Sequence, residues 1–181
     1  MSIIIKVAEK ADLKHAVVIS KWYEKSSKER GTGIAVRSPE YLSVRINNSN
    51  SIIALDGNDV VGFCYIEIFQ DKQYVSNSGL IIRDDYRGQG LGTKIKKQAF
   101  ELARNKYPDA KIFGITTSEV VMKINADLGY IPVPLHKLTT DDTFWKGCSS
   151  CKNYDILIRN DKKMCLCTGM LCDPNNEKAN K

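Results

Sequence analysis

The sequence predicts an α/β fold, with six to seven strands flanked by about four helices in one domain. Three observations predict it. Runs of apolar, β-branched residues alternate with amphipathic stretches along the chain. Two of those runs meet at Asp56-Gly57, a strong hairpin signal. Mid-chain, Leu80-Ile81-Ile82 leads through Arg87-Gly88-Gln89-Gly90-Leu91-Gly92 into an amphipathic segment, giving the order strand, glycine-rich turn, helix.

In chain order, Ile3 to Val7 reads as the first strand. Asp12 opens a helix whose apolar face is Leu13, Ala16, Val17, Ile19 and Trp22, ending near Tyr23. Ser26 to Ser38, polar and containing Gly31 and Gly33, reads as a loop. Ser38-Pro39-Glu40 starts a second helix, with proline at its first position, that ends near Asn47. Ser51 to Leu55 and Val60 to Ile68 form the hairpin. Tyr74 to Ile82 follows as a strand interrupted by Ser78-Gly79, a bulge signal. Ile95, Ala99, Phe100, Leu102 and Ala103 mark one face of a helix from Thr93 to Lys106. Ile112 to Thr116 is the next strand, Ser118-Glu119-Val120-Val121 opens a helix, and Leu128-Gly129-Tyr130 closes it. Two last strands are expected around Tyr130 to Val133 and Tyr154 to Ile158. The domain is expected over 1–172, with a Cys-rich segment at 144–172 and a frayed tail over 173–181.

The chain of 181 residues, 43% hydrophobic and 27% charged, has ordinary globular composition. No run approaches the ~20 apolar residues of a membrane span, and Met1-Ser2-Ile3-Ile4-Ile5-Lys6 lacks a signal-peptide pattern. A cytoplasmic protein without membrane partner is the expectation. The net charge of +6 comes from scattered lysines and arginines without RNA-binding aromatic signatures, so no nucleic-acid partner is expected. A ligand with several phosphates accounts for part of that charge. Monomer and homodimer both remain open.

The glycine turn carries the chemistry. A strand-to-helix turn aims unpaired N–H groups and the positive end of a helix dipole at one point. Alternating glycines let the backbone approach a phosphate, and Arg87 adds a charge. A P-loop is excluded because Gly92-Thr93 has no lysine between its residues, and a dinucleotide fingerprint because the glycines run Gly88-x-Gly90-x-Gly92 mid-chain. Leu80-x-Ile82-x4-Arg87-Gly-x-Gly-x-Gly resembles the acetyl-CoA-binding motif of the GNAT N-acetyltransferases. The strand, helix and Gly129-Tyr130 pair that follow agree with that resemblance. It implies a mixed, mostly antiparallel sheet, with a bulged strand that splays from its neighbour to admit the pantetheine arm. It also implies acetyl-CoA as cofactor, held by Leu80, Ile82, Arg87, Gly88, Gln89, Gly90, Leu91, Gly92 and Thr93.

The implied reaction is direct attack of a primary amine on the thioester. Family members often carry a tyrosine acid four residues before the Gly-aromatic pair, where this chain has Asn125. An amide donates no acid proton. Tyr130 or a water is the substitute acid. Glu67, between Tyr65 and Phe69, is the candidate base, with a solvent-facing role and a water chain to a more distant carboxylate as alternatives. Arg30, Arg37 and Arg45 are candidates for gripping a substrate carboxylate, or are plain surface charge.

Of six cysteines, five fall late. Cys148-x2-Cys151 and Cys165-x-Cys167 supply two close pairs, which suits a structural Zn²⁺ if Tyr154 to Ile158 returns one pair to the other; buried thiols and a redox pair are the alternatives. Phe144 to Cys148 and Lys163 to Cys167 resemble small acetyltransferases linked with bacterial arginine biosynthesis. The leading expectation is therefore N-acetylation of a small amino acid such as glutamate. A protein or peptide acetyltransferase, an inactive CoA-binding module and a zinc-ribbon interaction protein are the alternatives.

Overall fold

The computed structural model describes residues 2–30 and 34–179. Its elements run β1 (Ile4–Val7), a 3₁₀ turn (Lys10–His15), α1 (Ala16–Arg30), α2 (Pro39–Asn47), β2 (Ser51–Asp56), β3 (Asp59–Phe69) and β4 (Tyr74–Ile82). Then follow α3 (Leu91–Lys106), β5 (Lys111–Thr116), α4 (Glu119–Asp127), β6 (Ile131–Val133), α5 (Asp142–Lys146), α6 (Tyr154–Arg159), β7 (Thr168–Cys172) and α7 (Pro174–Ala179). The strands form one seven-stranded sheet in the order β1-β2-β3-β4-β5-β7-β6. Every pairing is antiparallel except β4 with β5. This is the mixed, mostly antiparallel sheet that the sequence implied.

Side chains alternate across the sheet with the period of two that a pleated strand imposes. Ile52, Ala54, Cys64 and Ile66 face α3, where Leu91, Ile95, Ala99 and Ala103 form the buried stripe. Ile53, Phe63 and Tyr65 face the opposite layer, against Ile19 and Tyr23 of α1 and Leu42 and Ile46 of α2. A third cluster, with Phe69, Phe113, Leu135, Trp145 and Leu157, seats the segment after β6 on the sheet. The signals at α2 hold in detail: the Tyr41 N–H donates to Ser38 Oγ at 3.1 Å, with Pro39 at the first helical position.

Three sequence readings are corrected. The first helix does not begin at Asp12; a 3₁₀ turn occupies Lys10–His15, where the Glu9 N–H donates to Asp12 Oδ2 at 2.9 Å. It also runs past Tyr23 to Arg30, through residues read as loop. Polarity there marks a solvated helix face, with Glu24–Lys28 and Lys25–Glu29 ion pairs one turn apart and Ser26 buried. Tyr154 to Ile158 is not a strand but lies in helix α6, with Leu157 buried in the third cluster. A short apolar run fits either element, and packing decides. The last strand is Thr168–Cys172 instead, inserted between β5 and β6 with Met170 and Cys172 buried. The tail read as frayed begins with the short helix α7. Gly31 and Gly33 lie outside the described residues.

The feature that positions the site is where β4 leaves β5. They pair at Tyr74–Lys111, Val75–Ile112 and Ser76–Phe113, and no further. Beyond that point β4 is drawn toward β3 by a bulge: Phe63 pairs Ile81 while Tyr65 pairs Ser78. Gly79 lies in the bulge at φ +67, and the Tyr23 hydroxyl donates to its carbonyl. A Cβ at Gly79 would meet Tyr65 Cε1 at 2.2 Å and Tyr23 Oη at 2.7 Å. Gly79→Ala should therefore destabilise the fold by more than the ~1–3 kcal/mol of backbone strain alone. Gly57→Ala is the comparison, since Gly57 has φ +60 but nothing within 4 Å of its Cβ position. Urea unfolding of both variants checks this, and equal losses would show that the bulge is not tightly packed.

Candidate active site

The parting of β4 and β5 opens a cavity of about 230 Å³. One end lies at the apex of the V, lined by Asn77, Lys96, Gly114 and Asn125. The other end lies under α1, α2 and the Cys-rich segment, lined by Arg30, Arg37, Tyr41, Arg45, Glu67 and Phe144, among others. Leu80 and Thr116 stand along the arms of the V. The β4 backbone past Ser76 has no strand partner on its β5 side, and side chains take its first carbonyls there: Lys96 that of Asn77, Cys64 that of Ser78 and Tyr23 that of Gly79.

The glycine turn follows β4 and stands beside the cavity: a Cβ at Gly92 would lie 3.4 Å from Cδ2 of Leu80, which lines it. Arg87 to Gly90 are exposed, and Gly88 and Gly90 adopt φ +75 and +74. Gly90 is the N-cap of α3, and no side chain caps the first-turn N–H groups. Leu91 and Gly92 fall inside the helix, which starts two residues earlier than the sequence placed it, and Thr93 is exposed on its first turn. A Cβ at Gly88 or Gly90 would meet nothing within 4 Å, so the space over the turn is open to an incoming group. Arg87 pairs with Asp84 at 2.7 Å, and Gln89 donates to the Asp85 carbonyl at 3.1 Å. Ile82 and Arg87 flank a second hollow, beside Trp22 and Lys25 of α1. An uncapped helix start behind open, positive-φ glycines is what a diphosphate needs. At the apex, the buried Asn125 Oδ1 has no hydrogen-bond partner of its own, an acceptor open to a donor on an incoming group.

At the acceptor end the side chains hold one another. Arg45 and Tyr41 both donate to the Glu67 carboxylate, on side chains only 17% (Arg45) and 18% (Glu67) exposed. The Arg45 guanidinium also stacks on the Tyr41 ring, 3.4 Å from its centroid. Arg37 donates to the Tyr65 hydroxyl at 2.8 Å and to the Gly147 carbonyl at 2.9 Å, so it ties the chain before α2 to β3 and to the Cys-rich segment. Arg30, the last residue of α1, lines the same space. All three sequence-selected arginines and Glu67 thus converge on one cavity.

Tyr130 does not join them. It is 2% exposed, packs on Phe100, and its hydroxyl approaches Asn77 without closing a hydrogen bond of ordinary geometry. Burial raises its pKa, which opposes ionisation. Asn125, also buried, does line the cavity, and its Nδ2 donates weakly to Met170 Sδ at 3.6 Å. The zinc expectation is corrected. Among the described residues no three His, Cys, Asp or Glu side chains are placed to hold a metal ion. Cys148, Cys151, Cys165 and Cys167 are free thiols, and burial pushes Cys148 up to about 11 and Cys167 up to about 12, away from the thiolate a metal would bind. The segment between the pairs is helical and not the expected strand, although Cys148 and Cys165 still pack in the same cluster. Cys148, Cys151 and Cys167 instead line the cavity wall.

Sequence reasoning missed Lys96 and Asn77. The signal for Lys96 was its place at i, i+3, i+7 with Ala99 and Ala103, a lysine on an apolar stripe. Asn77 gave no signal, because only the parting of β4 from β5 exposes it to the cleft.

The family model described as Acetyltransferase (GNAT) family matches residues 18–120, from α1 through the glycine turn to the start of α4. The chain belongs to the GNAT family. No curated protein matched the sequence. Among solved structures, N-acetylglutamate synthase from Neisseria gonorrhoeae, complexed with coenzyme A and N-acetyl-glutamate, superposes with a TM-score of 0.67 at 16% identity. That match covers 96% of this GNAT chain but 35% of the Neisseria chain, so this protein spans about a third of it. A Mycobacterium tuberculosis protein in complex with CoA gives 0.67 at 14% identity, covering 94% and 98% of the two chains. A putative acetyltransferase from Salmonella typhimurium with its cofactor acetyl-CoA gives 0.65 at 12%, covering 96% and 95%. At these identities the likeness is one of fold.

Within the GNAT frame, the glycine turn should govern cofactor affinity more than stability. Gly90→Val forces a β-branched residue to φ +74 at the start of α3 and shifts the first-turn N–H groups. The expected result is a folded variant with acetyl-CoA affinity reduced tenfold or more, about 1.4 kcal/mol. Calorimetry decides it, and undiminished binding would remove the turn from the site.

Proposed function

We propose that this GNAT protein transfers an acetyl group from acetyl-CoA to the amino group of a small amino acid, with glutamate the first candidate. One observation carries the reading. The charged residues lining the cavity are Arg30, Arg37, Arg45 and Lys96 against a single carboxylate, Glu67. Arg45 neutralises Glu67. Arg37 donates to the neutral Tyr65 hydroxyl and Gly147 carbonyl, so its charge calls for an anionic acceptor, and guanidinium groups bind carboxylates in paired hydrogen bonds. The Cys-rich segment adds a steric argument. Gly147 and Phe144 close over the acceptor end, anchored by Arg37 and by the Val36 N–H, which donates to Ser150 Oγ at 3.0 Å. An enclosed end suits a small molecule better than a protein chain.

The division of labour follows the geometry. The uncapped start of α3 and the glycines before it bind the diphosphate, with Arg87 exchanging Asp84 for the ligand. The edge of β4 past Ser76, which has no strand partner, orients the pantetheine arm. Arg30 and Arg37 bind the acceptor carboxylate. Glu67, fixed by Arg45 and Tyr41, faces the acceptor's ammonium and receives its proton through water. An amine of pKa near ~10 must lose that proton before it attacks. The six cysteines, all free thiols, fit a reducing compartment, and we place the enzyme in the cytoplasm.

Glutamate should be acetylated faster than glutamine. A charge-assisted hydrogen bond is worth ~1.5–3 kcal/mol, so the preference in kcat/KM should be about tenfold to a hundredfold. Arg30→Ala and Arg37→Ala should each remove most of that preference while acetyl-CoA affinity changes little. Steady-state assays with both amino acids and both variants test it. Equal rates for the two acceptors, or variants that keep the full preference, would overturn the amino-acid reading and favour acetylation of a protein amine.

A further inference from the structure

Lys96 is the charged group at the cavity that no step above employs. It lies on α3 at 3% exposure, and its ammonium donates to the Asn77 carbonyl at 2.7 Å and to Asn77 Oδ1 at 3.2 Å. Asn77 is the first β4 residue past the last pairing with β5, so Lys96 Nζ stands at the apex of the V. The Asn77 amide is itself held, its Nδ2 donating to the Lys96 carbonyl at 3.4 Å and its Oδ1 accepting from Cys64 Sγ at 3.2 Å. Across the apex, a Cβ at Gly114 would lie 3.4 Å from the Asn77 carbonyl and 4.0 Å from Asn125 Nδ2. Lys96 and Asn125 therefore border the same small space.

Burying an ammonium is unfavourable unless it is paired. Among the described residues no carboxylate lies within ion-pair distance of Lys96, and a methionine would fill the position without that penalty. An ammonium has three N–H donors. Asn77 takes two, which leaves one for a ligand atom at the apex.

We propose that Lys96 is the catalytic acid that protonates the departing thioester sulfur, the part for which Asn125 has no proton. The proposal rests on the acetyl-transfer reading above. The acceptor nitrogen bonds to the acetyl carbon, the C–S bond breaks with its electron pair on sulfur, and sulfur takes a proton from Lys96. The attacking nitrogen, which gave its first proton to Glu67 before attack, loses its second to solvent as the amide forms, and the neutral Lys96 amine regains a proton from solvent. No further reactant is needed. Desolvation lowers the Lys96 pKa, which eases proton release, and the groups facing it are Cys64 from β3, Asn77 from β4 and Asn125 from α4.

The test uses Lys96→Met and Lys96→Gln in the full chain, together with a measurement on the unmodified protein. Gln retains a donor for the Asn77 carbonyl and carries no acid proton. Both variants should lose about 10²–10³-fold in kcat, within the usual range for a general acid, while desulfo-CoA binds as before. In the unmodified protein, kcat should fall as the pH rises through the ionisation of Lys96, because the neutral amine has no proton to give the sulfur, and the residual activity of the Gln variant should lack that descending limb. A fully active Gln variant would make Lys96 a positioning residue and overturn the proposal. So would a kcat of the unmodified protein that does not fall with rising pH, which needs no variant to fold. Failure of the acetyl-transfer reading looks different: CoA would not bind the unmodified chain, or no amine would be acetylated.

Discussion

The site depends on one constraint, the separation of β4 from β5 after three paired residues. Each strand has a stronger commitment on its other side. The bulge at Gly79 keeps β4 on β3, and the Tyr23 hydroxyl holds the Gly79 carbonyl from the helix layer. β5 pairs with β7 from Ile112 to Thr116, well past the point where it loses β4. A sheet that must satisfy both neighbours opens in the middle, and side chains take the first carbonyls of the edge it exposes. Helix α3 then bridges the gap. Its buried stripe packs on β2 and β3, close enough that a Cβ at Gly62 would lie 2.5 Å from Ile95 Cδ1. The same packing delivers Lys96 to the apex and the glycine turn to the side of the cavity.

Charge along the cleft falls into an exposed group and a buried one. Beside the glycine turn the ion pairs are exposed, Lys25–Asp84 and Arg87–Asp84 among them, and such pairs exchange partners at little cost. At the acceptor end the Arg45–Glu67 pair is largely buried and braced by Tyr41, so its geometry is fixed. Removing one member would strand the other in a dry site, which is far more damaging than losing a surface pair. Arg37 links three parts of the chain that are distant in sequence, reaching Tyr65 and Gly147 at once. The Cys-rich segment is therefore part of the cavity wall, and its strand β7 is part of the central sheet.

The sequence by itself determined whatever rests on local patterns. The hairpin at Gly57, the Ser38 cap, the Gly79 bulge and the strand–turn–helix around Gly88 and Gly90 each follow from residues within one or two turns of each other, because φ and capping preferences are local. The arginines and Glu67 were legible as candidates for the same reason: their chemistry is intrinsic. Tertiary structure decided the rest. Tyr154 to Ile158 is an apolar run compatible with strand or helix until Leu157 finds Trp145 and Phe113. The cysteines looked like metal ligands by spacing, and the fold does bring Cys148, Cys151 and Cys167 to one cavity wall, yet among the described residues no three ligating side chains are placed to hold a metal ion. That Glu67 meets Arg45 and that Lys96 meets Asn77 are consequences of sheet order and of one missing strand pairing. No local preference encodes them, because they bring together residues 19 to 22 positions apart through the packing of separate elements.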